Sequence, residues 1–160
     1  MGLDITAYSH LKAVPRKEGD DVRDYVFRPR PHDAFPGRTE GLDCESDYIG
    51  DAKLSFCAGS YGGYSQWREW LARVAGYPSI NDIWDGKVPS GPFVELINFS
   101  DCEGTIGPVV AAKLAKDFAD FDEKARADDH SPDPTFYYER YKLWRQAFEI
   151  AAMNGAVDLH

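Results

Sequence analysis

The strongest periodic signal in the sequence lies in residues 134–153. Five apolar residues there are separated by four, three, four and three positions, which is the spacing of one face of an α-helix: Tyr137, Tyr141, Trp144, Phe148 and Ala151. Asp133 and Pro134 suit the N-cap and the first helical position, and Asn154-Gly155 is a stop signal. The pattern predicts an amphipathic helix that buries one face against other elements.

Shorter strand-like segments elsewhere in the sequence predict a β-sheet against which this helix can pack. Apolar and polar residues alternate at the start of the chain, and several short apolar runs follow. The predicted strands are 2–8, 52–58, 92–99 and 156–159. Two further helical patterns cover 65–75, which Ser65 would cap, and 108–124, which starts at Pro108. We therefore predict one α+β domain over residues 1–160, in which a small mixed β-sheet is covered by three helices.

Residues 12–47 have a different composition from the rest of the chain. They are rich in Pro, Gly and charges of both signs, with only short apolar islands. We expect a long irregular excursion, a type of segment that is often functional. It is no domain boundary, because the strand before it cannot fold alone.

Composition limits the classes of function. The net charge is −9, which disfavours bulk nucleic acid as a partner, although backbone amides can still bind a small anion. The 3 Cys residues lack CxxC spacing, so neither a disulfide framework nor a zinc site is expected and a reducing compartment is favoured. No signal peptide or membrane-spanning run is present. We expect a cytoplasmic protein with no metal, no cofactor and no membrane partner.

The loop before the predicted helix 65–75 is a candidate ligand site. Its glycines let backbone N–H groups approach an anion at a helix N-terminus, its aromatic rings can stack on a planar group, and its arginine can pair with phosphate. The candidate residues are Ser60, Tyr61, Gly62, Gly63, Tyr64, Ser65, Trp67 and Arg68. No established phosphate-loop pattern is present. The alternative is a tight turn with the aromatic residues packed beneath it.

A second glycine-bearing loop, 100–107, precedes the predicted helix 108–124. Its candidate ligand residues are Ser100, Asp101, Glu103 and Thr105. Asp101 and Glu103 have two alternative interpretations: they bind a divalent cation for hydrolysis, or they cap the helix that follows. We assign no catalytic residue, because the loop contains no histidine to act as a base. The two strand–loop–helix segments are similar in sequence, which would place both loops at one edge of the sheet.

Three segments carry a resemblance: MGLDITAY, GSYGGYSQWR and NFSDCEGTIGPVVAAKLAKDF. On these segments the chain resembles small phage- and prophage-encoded accessory proteins of largely uncharacterised function. The resemblance implies a protein that counters host defence, by sequestering a nucleotide signal or by binding a host protein. It transfers no catalytic motif to this sequence.

Our functional hypothesis is a non-catalytic protein that binds a nucleotide or another phosphate-bearing ligand between the two loops. One alternative is an acidic interaction module that blocks a host protein, suggested by the net charge of −9. The other is a metal-assisted hydrolase that uses Asp101 and Glu103. An enzyme is the less favoured class, and a dimer is left open.

Overall fold

The computed structural model describes residues 2–17 and 26–160, and the predicted α+β class is confirmed. Within these residues the strands are β1 Gly2–Tyr8, β2 Lys12–Pro15, β3 Val26–Phe27, β4 Ser46–Ile49, β5 Ala52–Ser60, β6 Gly104–Ile106 and β7 Ala156–Leu159. The helices are α1 Tyr61–Val74, α2 Ile80–Trp84, α3 Val94–Ile97, α4 Pro108–Asp120, α5 Asp122–Ala127 and α6 Pro134–Ala151.

The main sheet has four strands in the order β5-β1-β7-β6. Each neighbouring pair is antiparallel, so the sheet is not mixed as predicted. β1 is central: Ile5 lies opposite Phe56 on one side and opposite Leu159 on the other. The predicted strands 2–8, 52–58 and 156–159 are confirmed. They form because their alternating residues present one apolar face to the helices.

The predicted strand 92–99 is wrong. Its centre is the one-turn helix α3, entered through Phe93 in the left-handed backbone conformation with φ 61°. A short buried apolar run fits a helix as well as a strand, and periodicity alone does not separate the two. The fourth strand is instead β6, within residues predicted as a loop.

The excursion 12–47 is more ordered than predicted. It contributes β2, β3 and β4, which form a second antiparallel sheet in the order β2-β4-β3. Residues 18–25, predicted as part of the irregular segment, lie outside the described residues. Leu11, Phe27 and Tyr48 pack with Ala156, so this sheet is attached to β7 of the main sheet by apolar contacts.

Aromatic rings fill the space between the main sheet and the helices. Trp144 of α6 is at their centre, with its ring centroid 5.7 Å from that of Tyr64, 5.9 Å from Trp67 and 5.6 Å from Phe148. The predicted helix 134–153 is confirmed within two residues. The predicted helix 108–124 is divided, because α4 ends at Asp120 and a separate α5 follows.

The turn between α6 and β7 is in close contact with the end of β1. His10 and Leu11 donate backbone hydrogen bonds to the carbonyls of Met153 and Asn154, at 2.8 and 2.9 Å. A Cβ atom on Gly155 would lie 2.7 Å from the carbonyl carbon of Tyr8, closer than real Cβ atoms approach backbone. Glycine at this position is therefore a packing requirement.

We expect Gly155→Ala to lower the free energy of unfolding by about 2 kcal/mol or more, because the backbone must move apart to accept the methyl group. Gly62→Ala is the matched control. Its Cβ would have no neighbour within 4 Å, so alanine should stabilise α1 by about 0.5–1 kcal/mol. Urea denaturation measures both changes, and equal effects of the two substitutions would contradict the packing role.

Candidate functional site

The two predicted ligand loops lie at the same end of the main sheet. Ser60, at the end of β5, is opposite Gly2 at the start of β1. Gly104, at the start of β6, pairs with Leu159, which in turn pairs with Ile5. The segments that follow β5 and precede β6 therefore emerge at the same end of the sheet.

The first predicted loop is not a loop: β5 ends at Ser60 and α1 begins at Tyr61, four residues before the predicted helix start, so the loop glycines form the first turn of the helix. Its N-cap is Ser60, whose Oγ accepts from the N–H of Gly63 at 3.1 Å, so the predicted cap Ser65 is wrong. Gly62 has a negative φ and open space where a Cβ would lie. Neither turn geometry nor packing requires glycine there, and its absent side chain leaves the helix N-terminus accessible.

Tyr64 and Trp67 are not at the surface. They lie on the buried face of α1 together with Leu71, and their exposed fractions are 0% and 2%. Trp67 donates its indole N–H to the Tyr137 carbonyl. The prediction that these two rings stack on a ligand is therefore corrected: they pack beneath the turn, which was the alternative interpretation.

Arg68 is also buried, with only 4% of its surface exposed. Its Nη1 donates to the carbonyls of Ile97 at 3.2 Å and Phe99 at 2.9 Å, and its Nη2 donates to Ser65 Oγ at 3.3 Å. The predicted direct pairing of this guanidinium with a ligand phosphate is corrected. Its direct bonds instead connect α1 to the segment that leads into the second loop.

Other side chains bind the same segment, 93–99. Arg38 donates to the carbonyls of Glu95 and Asn98, at 2.9 Å each. The indole N–H of Trp84 donates to Ile97 at 3.1 Å, and Asp117 accepts from the N–H of Phe93 at 3.0 Å. Together with those from Arg68, these hydrogen bonds satisfy backbone N–H and carbonyl groups of a buried segment that has no neighbouring strand to pair with.

Two polar atoms in this region have no hydrogen-bond partner although they are buried: the hydroxyl of Tyr64 and Nε of Arg68. The guanidinium lies over the Tyr64 ring, 4.6 Å from its centroid. Burial raises the pKa of Tyr64 to about 12, with opposing effects from Arg68, which lowers it, and Asp101, which raises it. Within residues 2–17 and 26–160, no carboxylate forms an ion pair with Arg68. A buried charge without a counter-ion is uncommon.

Two predicted residues of the second loop have structural contacts. Ser100 is buried, and its Oγ accepts from the N–H groups of Cys102 and Glu103. Thr105 is fully buried; its Oγ1 accepts from the backbone N–H of Arg30 and donates to Asp158. These two side chains are therefore not positioned to contact a ligand, and this part of the prediction is corrected.

Asp101 and Glu103 remain closer to solvent. Asp101 is half-buried, whereas Glu103 is exposed and lies 3.8 Å from Nη1 of Arg30. Neither caps α4, whose N-cap is Gly107 without a side-chain hydrogen bond. In the part of the chain that the structure describes, no group of three His, Cys, Asp or Glu side chains could hold a metal ion. The metal-assisted hypothesis therefore lacks a third ligand among these residues.

Trp84 is a residue that the sequence analysis did not select, and it is 40% exposed. It is the last residue of α2, and its ring centroid is 5.8 Å from Cζ of Arg68. Tyr61, Ser65 and Arg68 follow one face of α1 at positions i, i+4 and i+7. We call Tyr61, Gly62, Ser65, Arg68 and Trp84 the Arg68 site.

A second polar cluster, which the sequence analysis did not identify, lies on the face of the main sheet opposite to the helices. Thr6 Oγ1 is 3.0 Å from His160 Nε2 and 3.3 Å from Ser55 Oγ. They line an open groove of about 360 Å³ together with Asp4 and Cys57. The alternation of polar residues in β1 was the signal available, because these residues share its polar face.

Comparison with family models, curated proteins and solved structures finds no match to this chain. The resemblance to phage proteins therefore stays a prediction. None of the helices in the described part of the chain combines the length and the hydrophobicity needed to cross a membrane.

We expect Arg68→Met to lower the free energy of unfolding by about 1–3 kcal/mol, because it leaves the buried carbonyl of Phe99 without its side-chain donor and leaves Trp84 as the side-chain donor to the carbonyl of Ile97. Arg73→Met is the matched control on the same helix. Arg73 is exposed in the last turn, and its loss should cost less than about 1 kcal/mol. Chemical denaturation compares the two variants, and similar losses would show that Arg68 does not stabilise the 93–99 segment.

Proposed function

We propose that the chain is a non-catalytic binding protein for a small phosphate-bearing ligand, held at the Arg68 site. The observation that carries the proposal is the buried guanidinium of Arg68, which lacks a carboxylate partner among the described residues and lies near the first turn of α1. The role expected from the resemblance, sequestration of a nucleotide signal by a phage protein, is part of this proposal.

Electrostatics favour an anion at this position. The N-terminus of α1 has the positive end of the helix dipole, and N–H groups of its first turn have no partner within the helix. Arg68 adds a positive charge that is poorly screened, because it is 4% exposed and surrounded by protein. A phosphate above Gly62 and Ser65 would interact with both sources of potential without touching the guanidinium.

The two alternatives have less support. A metal-assisted hydrolase would need more ligands than Asp101 and Glu103 provide, as described above. An acidic interaction module needs negative charge that is concentrated on one surface. Several carboxylates are instead interleaved with arginines in the fold, including Asp47 with Arg28 and Asp158 with Arg30.

Charge at position 62 tests the proposed anion site. Helical side chains point toward the N-terminus, so a residue at 62 would extend over the first turn. We expect Gly62→Glu to weaken binding of phosphate compounds at least about tenfold relative to Gly62→Gln, or about 1.4 kcal/mol, because only the carboxylate repels an anion. Thermal-shift titration measures this difference, since ligand at 100 times Kd stabilises the fold by about 2.7 kcal/mol.

Two features of this design separate binding from folding. A carboxylate in the first turn is favourable to the helix, so Gly62→Glu should fold as stably as Gly62→Gln. Gln146→Glu makes the same change of charge at an exposed position of α6 and should leave the affinity unchanged. Equal affinities for the two Gly62 variants, or no shift of the wild-type protein with any phosphate compound, would contradict the proposal.

A further inference from the structure

Trp84 differs from the other three tryptophans of the chain. Trp67, Trp70 and Trp144 are at most 2% exposed, whereas Trp84 is 40% exposed. Its indole N–H is bonded to the carbonyl of Ile97, the same carbonyl that Arg68 binds. The ring is therefore held at the surface in one orientation, and a ligand that stacks on it would not have to order a mobile side chain.

The ring is also next to a cation. Cζ of Arg68 lies 5.8 Å from the centroid of Trp84 and 4.6 Å from that of Tyr64. Tyr64 is fully buried, so Trp84 is the one of these two rings with surface available to a ligand. A planar group on Trp84 and an anion at the first turn of α1 would then both lie beside Arg68.

We infer that the exposed surface of Trp84 stacks on an aromatic ring of the ligand, which makes the ligand a nucleotide rather than a sugar phosphate or free phosphate. The inference rests on the proposed function and names the ligand class of the same site. Stacking of a base on an aromatic side chain contributes about 1–3 kcal/mol, which is enough to select a nucleotide over its sugar phosphate.

The dimensions of the site agree with this class. The guanidinium of Arg68 reaches back to Ser65, which is three residues after Gly62, or about 5 Å along the helix axis. Trp84 lies beside this guanidinium, and the open backbone of Gly62 lies about one helical turn away. A nucleotide carries its base and its phosphate at opposite ends of the ribose, so one molecule could occupy both positions.

The binding test uses AMP, GMP, ribose 5-phosphate and inorganic phosphate as probes. We expect AMP or GMP to bind wild-type protein at least about tenfold more tightly than ribose 5-phosphate, as the stacking energy predicts. The preference should fall below about threefold in Trp84→Leu and should persist in Trp84→Phe, which keeps a ring. Phe136→Leu is the control: Phe136 is also an exposed aromatic residue next to an arginine, Arg140, but on α6, and its loss should change nothing.

Fluorescence provides a readout that needs no substitution. The three buried tryptophans are shielded, so acrylamide quenching of the wild-type protein reports mainly on Trp84. AMP or GMP should protect the fluorescence from acrylamide, and inorganic phosphate should not. This measurement keeps the inference testable even where Trp84→Leu fails to fold.

The outcomes separate the two proposals. Equal binding of nucleotides and ribose 5-phosphate would overturn the inference and leave the proposed function in place. A nucleotide preference that survives Trp84→Leu, or nucleotide binding without protection from acrylamide, would also overturn the inference. Failure of every phosphate compound to bind would overturn the proposed function itself, and the inference with it.

Discussion

The fold depends on hydrogen bonding to a buried segment, 93–99, that has no neighbouring strand. Its carbonyl groups accept from Arg38, Arg68 and Trp84, and its first N–H group donates to Asp117. These four side chains come from the excursion, α1, α2 and α4. Because an unpaired buried backbone group costs about 1–3 kcal/mol, burial of the segment is most favourable when all four elements are in place. The segment 93–99 therefore connects the excursion to α1, α2 and α4.

The same constraint creates the candidate site. Arg68 has to reach the carbonyls of Ile97 and Phe99, which places a permanent positive charge beneath the first turn of α1. Trp84 is fixed at the surface by its bond to Ile97. Binding of a ligand near these side chains would thus be coupled to the stability of the fold. Arg68 both donates hydrogen bonds to segment 93–99 and provides the positive electrostatic potential for the ligand.

Much of the architecture was predictable, because its signals are local. The apolar stripe through Tyr141 and Trp144 requires only helical spacing, and α6 has the predicted extent within two residues. The alternation in β1 is equally local. The prediction failed at 93–99, since the choice between strand and helix there depends on donors from distant residues such as Arg38. It also missed β6, whose three residues are too short for a periodic signal.

For the site, residue spacing in the sequence indicated that glycines lie at a strand–helix junction, and that an arginine and aromatic residues follow them on the helix now called α1. Which of these side chains are buried and which face solvent depends on the tertiary structure. Packing against α6 buries Tyr64 and Trp67, and α2 brings Trp84 to the surface beside Arg68. The physical reason is that spacing along the chain sets which residues share a helix face, whereas burial and charge pairing depend on the elements packed against that face.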